Sequence, residues 1–324
     1  MKLYVTGNGF DLHHGLDTSY FSFGYFLRSH QHDLYDKLVE FVGFTDLPEE
    51  LEQLDRGEHP LWCEFESNLS KLNSQAVLDA FTDYLPNIGE PNFRDRDWHA
   101  FDIEMQRILE NLTDGLFTQF KSFISQVKYP KLNKDEILQL CNDALFINFN
   151  YTNTIERYYG TKNSKILYIH GNVSLPGDKF ILGHGVDPKN FEEHQAEPPT
   201  DVIDEELEQW YQYMSDNYDY AYESGKQTLN RYFTHSFKNT KEVISSGQAF
   251  FSKLNAVNEI IIVGHSLSEV DMPYFSAIKQ YVRPDSTWTA TYYLENERKK
   301  HLHALQSIGI DYPNIIQIGS LMAQ

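Results

Sequence analysis

The chain has 324 residues, enough for one large domain or two, and its 41% hydrophobic and 15% aromatic content can fill a core. Its 27 basic residues against 47 acidic ones give a formal net charge of −20, a field that repels phosphate backbones and argues against nucleic acid as a partner. Only two cysteines occur, Cys63 and Cys141, which excludes a disulfide framework and a four-cysteine zinc site. The cysteine usage fits a reducing, cytoplasmic setting. No leader pattern opens the chain, and no run approaches the ~18 apolar residues of a membrane span.

The first element is a β-type run, Leu3–Thr6, that feeds into Gly7-Asn8-Gly9-Phe10-Asp11 and then Gly15-Leu16. This pattern predicts a strand of a parallel sheet ending in a tight turn against a ligand. Glycine allows close backbone approach there, or a positive φ. A helix opening after such a turn aims its free N–H groups at an anion such as phosphate. The spacing is not that of the dinucleotide fingerprint, and an ordinary strand-to-helix turn fits this segment equally well. His13 and His14 are expected to lie exposed on the first helix.

Residues 44–140 carry helical periodicity, clearest at Glu104–Leu112 and Leu116–Val127, divided by Pro60, Pro86, Pro91 and Pro130. The run Ala144–Phe149 ends in Asn148-Phe149-Asn150-Tyr151-Thr152. Ile166–His170 ends in His170-Gly171-Asn172, and Phe180–Leu182 in Gly183-His184-Gly185. Residues 188–254 begin acidic (Glu192, Glu193, Glu197, Asp201, Asp204, Glu205, Glu206, Glu208) and turn tyrosine-dense from Trp210 to Tyr222. The acidic part reads as a solvated helix start. The tyrosines suit an internal helix face, a lid or a self-association surface.

Glu259–Val263 is continuously apolar at Ile260-Ile261-Ile262-Val263, which implies burial on both faces, and it ends in Gly264-His265-Ser266-Leu267-Ser268. Helical patterns follow at Asp271–Tyr281 and Asn296–Ser307, separated by the run Thr287–Leu294. The last run, Ile315–Ile318, ends in Gly319-Ser320. The alternation predicts an α/β fold with a doubly wound, mostly parallel sheet and large helical insertions. The core would comprise residues 1–43, 141–187 and 255–324. Residues 44–140 and 188–254 would be insertions.

Ligands of open α/β sheets bind beyond the carboxyl ends of the strands. Here nearly every strand run finishes in small, amide, hydroxyl or imidazole groups. Amides and hydroxyls suit ribose, glycine turns suit phosphate, and His170, His184 or His265 suits proton removal. Together these describe a nucleotide or dinucleotide site. No metal is expected, because neither a carboxylate cluster nor an H-E-x-x-H pattern occurs.

The motifs also carry a resemblance. G-N-G-F-D-L-x-H-G-L-x-T-S-Y at 7–20, N-F-N-Y-T at 148–152 and G-H-S-L-S-x-x-D at 264–271 resemble the AbiH family of bacterial phage abortive-infection proteins. More distantly, the Gly7 turn, Asn150, His170-Gly171 and Gly264-His265-Ser266-Leu267 resemble, in the same order, motifs of the sirtuin (SIR2-like) NAD-binding fold. The resemblance implies a SIR2-like Rossmann variant that binds NAD as substrate or ligand. It implies that Gly7, Gly9 and Phe10 line the phosphates and nicotinamide ribose. Asn150 would hold the ribose beside the bond being cleaved, and His170 would be the general base. Gly264 and Ser266 would contact phosphate or adenosine ribose, with Asn296 and Ser320 near the adenosine. Asn8, Asp11, Thr152, Gly171 and His265 would complete the cofactor-binding set on the same turns.

Asp11 stands where that fold has serine, Thr152 where it has aspartate, and its zinc cysteines are missing. The resemblance therefore points away from protein deacylation and toward an NAD glycohydrolase. A phage-derived trigger or partner protein and a homo-oligomer belong to the same expectation. Two other readings stand beside it. One is a non-catalytic sensor of NAD or ADP-ribose. The other is a serine hydrolase with Ser266 as nucleophile, since Val263-Gly264-His265-Ser266-Leu267-Ser268 falls one residue short of the G-x-S-x-G elbow.

Overall fold

A computed structural model of the chain describes residues 1–49, 54, 59–141, 143–175, 180–193, 197–200, 203–216 and 218–322. Asp201 of the acidic run lies outside the described residues. Six strands form one sheet: β1 (Lys2–Thr6), β2 (Leu145–Asn148), β3 (Ile166–Tyr168), β4 (Glu259–Val263), β5 (Thr287–Tyr292) and β6 (Asn314–Gln317). All neighbours pair in parallel, in the order β3-β2-β1-β4-β5-β6. The fold is therefore α/β and doubly wound. The strand order reverses between β1 and β4, the place where such sheets open a crevice.

Period-two alternation divides the central strands between two cores. Leu3, Val5, Ile147, Ile260 and Ile262 face a cluster with Phe251, Tyr274, Phe275, Ile278 and Leu305, so the helices Met272–Tyr281 and Glu295–Ser307 cover that face. Tyr4, Phe146, Ile261 and Val263 face the other side, with Phe10, Leu138, Ile155 and Ile318. Apolar side chains on both faces explain why these strands read as unbroken apolar runs.

A third core is mainly helical. It draws Phe23 and Leu27 from helix Tyr20–His30, and Trp62, Phe65, Phe101 and Phe120 from the first helical region. Leu229, Tyr232 and Phe233 come from the second. Residues 100–125 form one long helix interrupted by a π turn at Asn111–Gly115. The acidic segment opens helix Asp204–Asp216, none of whose residues is buried. Tyr211, Tyr213, Tyr218 and Tyr220 are exposed, whereas Tyr222 stacks on Phe101 with ring centroids 5.8 Å apart. Most of these tyrosines therefore face solvent instead of an internal helix face. Among the described residues no helix is long and apolar enough to cross a membrane.

Two expectations change. Phe180–Leu182 is not a strand. Its backbone makes one bond to the sheet edge, from Ile181 N to His170 O at 3.0 Å, because β3 has already ended at Tyr168 and Gly171 turns the chain at φ +86°. His14 is fully buried, not exposed. It follows Phe10 by four residues and shares its inward helix face. Its Nδ1 lies 2.6 Å from Phe10 O and its Nε2 2.7 Å from the Tyr159 hydroxyl.

Candidate functional site

The β1 turn and the β4 turn pack backbone against backbone. Gly7 N donates to Val263 O at 3.1 Å, and Gly9 N donates to Gly264 O at 2.7 Å. Gly264 has φ +62°, and a Cβ there would lie 2.2 Å from Phe10 N; one on Gly7 would lie 2.6 Å from the His265 Cα. The close approach these glycines permit is thus to another turn of the same chain, not to a ligand. The N–H groups of Gly7 and Gly9 are already engaged.

From β2 the chain is tied into this turn by amides. Thr6 Oγ1 donates to Asn148 Oδ1 at 2.8 Å, Asn150 N donates to the same oxygen at 3.0 Å, and Asn150 Nδ2 donates to Gly7 O at 2.9 Å. Thr152 Oγ1 donates to Asp11 Oδ2 at 2.6 Å, while the buried Asp11 Oδ1 has no hydrogen-bond partner of good geometry. Burial pushes the Asp11 carboxyl up to about 6, against the pull of the Thr152 and Thr154 hydroxyls and the Asn150 amide.

A buried charged cluster sits beside the ends of β2, β3 and β4. Lys238, wholly enclosed, contacts Glu66 Oε2, Asp271 Oδ1 at 3.3 Å and His170 Nε2 at 3.1 Å. Tyr20 donates to Glu66 Oε1 at 2.6 Å, and the Tyr151 hydroxyl, 2.8 Å from Ile181 O, lies 3.2 Å from the same oxygen. Ser268 Oγ donates to Asp271 Oδ2 at 3.3 Å, and His265 Nε2 lies 3.5 Å from the same oxygen.

The partners assign the tautomers. His170 Nε2 faces an ammonium, so Nδ1 carries the proton and donates to Phe149 O at 3.0 Å. His265 Nδ1 accepts from Leu267 N at 2.9 Å, so Nε2 carries the proton toward Asp271. Burial, reinforced by the Lys238 charge, pushes His170 down to about 3. Burial also takes His265 to about 4, despite the Asp271 carboxylate. Burial would lower Lys238, but Asp271 and Glu66 outweigh it and hold the ammonium above its ordinary value. With both imidazoles neutral, Lys238 is the cation that the Glu66 and Asp271 carboxylates share.

The family model described as Bacteriophage abortive infection AbiH matches residues 3–292. The chain belongs to the AbiH family. No curated protein and no solved structure matches it. The AbiH match runs from β1 through β5 and contains every member of the buried cluster. It assigns the chain to phage abortive infection.

The AbiH structure brings together Gly7, Gly9, Asn150, Gly264 and His265, and joins His265 to His170 through Asp271, whose carboxylate lies 3.6 Å from His170 Nε2. Gly171 is the buried turn directly after His170. Asp11 and Thr152 pair beside this group. Phe10 turns into the core below the sheet, and Asn8 accepts from Thr18 Oγ1 at 2.6 Å. Ser266, Asn296 and Ser320 are exposed, and none of them belongs to the hydrogen-bonded cluster.

Sequence reasoning missed Glu66, Lys238, Tyr20 and Tyr151. The tyrosines stand inside quoted motifs, T-S-Y and N-F-N-Y-T, so the motif boundaries were their signal. Glu66 and Lys238 stand in the helical regions with no motif around them. Asp271 reads in the sequence equally as a helix cap or a ligand contact; its side chain makes no cap bond and turns into the cluster instead.

Proposed function

We propose that this AbiH protein serves abortive infection by binding NAD or a related nucleotide at the carboxyl edge of its sheet and hydrolysing the nicotinamide–ribose bond. The reading rests on one observation: the Glu66 and Asp271 carboxylates converge on Lys238 beside His170, at the strand ends of a doubly wound sheet. Cleavage sends the C–N electron pair to the pyridinium nitrogen. Neutral nicotinamide leaves and positive charge develops on the ribosyl carbon. Glu66 and Asp271 would offset that charge in a water-poor setting. Water adding at the carbon must lose a proton. His170, whose Nε2 carries no proton, would be the base beside these carboxylates once Lys238 releases that nitrogen. The donor set suits the nicotinamide-ribose end. The glycine turn offers no phosphate cradle while its N–H groups bond the β4 turn.

The sensor reading has its own support, since His170 Nε2 is engaged by Lys238. Ser266 hydrolase chemistry has none, because that hydroxyl is exposed and makes no hydrogen bond to a histidine. The proposal retains a phage-derived trigger or partner protein and a homo-oligomer; the exposed tyrosines of 211–220 offer a surface for either.

The test is incubation of purified protein with NAD while following nicotinamide release. Release is expected, falling about 100-fold or more in His170→Ala and clearly in Asn150→Ala. Calorimetric binding of NAD without release assigns the sensor role. Absence of both binding and release removes the nucleotide reading, and release unchanged in both variants removes this site.

A further inference from the structure

Lys238 is held by its backbone, not by its side chain alone. Lys238 N donates to His184 O at 2.8 Å and His184 N to Ser236 O at 2.9 Å, with a β-bridge between His184 and Phe237. Gly183 seals this pairing, since a Cβ there would lie 2.1 Å from Ser236 O. The four-carbon stem of Lys238 is the part free to change. An ammonium has three N–H donors, and Glu66, Asp271 and His170 take all three. His170 Nε2, the ring nitrogen without a proton, is thereby occupied by the chain itself.

We propose that Lys238 is an internal gate, its ammonium occupying the seat of a cationic ligand group between Glu66, Asp271 and His170. The inference deepens the site read above and rests on that site being where the ligand binds. A ligand that reaches His170 must displace the ammonium. The two carboxylates left behind are only 14% and 12% exposed, and uncompensated charges so poorly hydrated are unfavourable. A ligand carrying positive charge replaces what it removes, and a neutral one does not. The gate thus selects a pyridinium-type organic cation, such as the oxidised nicotinamide ring, over its neutral dihydro form.

The experiment uses the full chain and two ligand pairs in calorimetry. One pair is 1-methylnicotinamide, a cation, against neutral nicotinamide; the other is NAD against NADH. Lys238→Met keeps the stem and removes the charge. It is expected to bind both cationic ligands about tenfold tighter than wild type, because the binding-competent state no longer has to be opened. The neutral ligands should gain nothing. Should the lone substitution not fold, Lys238→Met combined with Glu66→Gln removes one carboxylate with the ammonium and keeps the same expected sign. The wild-type chain gives a second reading, a preference for 1-methylnicotinamide over nicotinamide. A folded variant that binds the cations no better than wild type overturns the gate, as does a wild-type chain without that preference. Binding of 1-methylnicotinamide but not NAD upholds the gate and removes the nucleotide reading.

Discussion

Asp11 shows how an unpaired oxygen becomes a stability term. Its carboxyl is 1% exposed, one oxygen served by Thr152 and the other by nothing of good geometry. The folded state holds its proton up to about 6, above the ordinary value of 3.8. The contribution is therefore fully favourable below pH 3.8 and lost as pH rises through 6. Asp11→Asn keeps the shape and the acceptor for Thr152 while removing the charge. At pH 7.5 the variant should be more stable by up to about 3 kcal/mol, converging with wild type near pH 4. Urea denaturation at the two pH values checks this; a variant less stable at pH 7.5 would show that the carboxylate is held ionised by its neighbours.

At the level of elements, the join between the β1 and β4 turns controls the carboxyl edge of the sheet. Two glycines separate backbone strain from packing. Gly160, which ends helix Thr154–Tyr159, has φ +64° and open space around a would-be Cβ; Gly264 has nearly the same φ, +62°, but faces the backbone of Gly9 and Phe10. Alanine at 160 should cost about 1 kcal/mol, from the left-handed conformation alone. Alanine at 264 should cost more than about 3 kcal/mol, because the two turns must also part. Denaturant midpoints with unchanged slopes would measure the difference. Equal losses would mean that the turn-to-turn contact carries no stability.

At the level of the whole molecule, buried neutral imidazoles set the response to acid. Burial lowers His170 to about 3, and His14, His184 and His265 to about 4. The unfolded chain takes up these protons near pH 6.5 and the folded chain does not, so stability is present above 6.5 and lost as pH falls toward 4. Asp11 acts in the opposite direction, but it is one group against four. The melting temperature should fall by more than about 5 °C between pH 7 and pH 5, measured by differential scanning fluorimetry. A flat profile would show that these imidazoles are hydrated or protonated in the folded state. The consequence is global because these histidines belong to the sheet edge, the first helix and the bridge that carries Lys238.

Much of this was legible in local pattern. A strand buried on both faces is apolar at consecutive positions, so β4 announced itself as the unbroken run Ile260-Ile261-Ile262-Val263. Parallel pairing and a doubly wound order followed from the alternation of strand runs with helices. Strand ends are local too, and the amides and imidazoles of Asn150, His170 and His265 pointed to the carboxyl edge before any coordinates. Contacts between distant segments were not legible. Nothing near Glu66 or Lys238 marks them, because their meaning arises only when two helical regions dock over the sheet. The sequence placed Gly7, Gly9 and Gly264 at strand ends, but did not show what they pack against. Only the tertiary structure decided that, because a missing Cβ makes room for any close neighbour, and here the neighbour is the other turn.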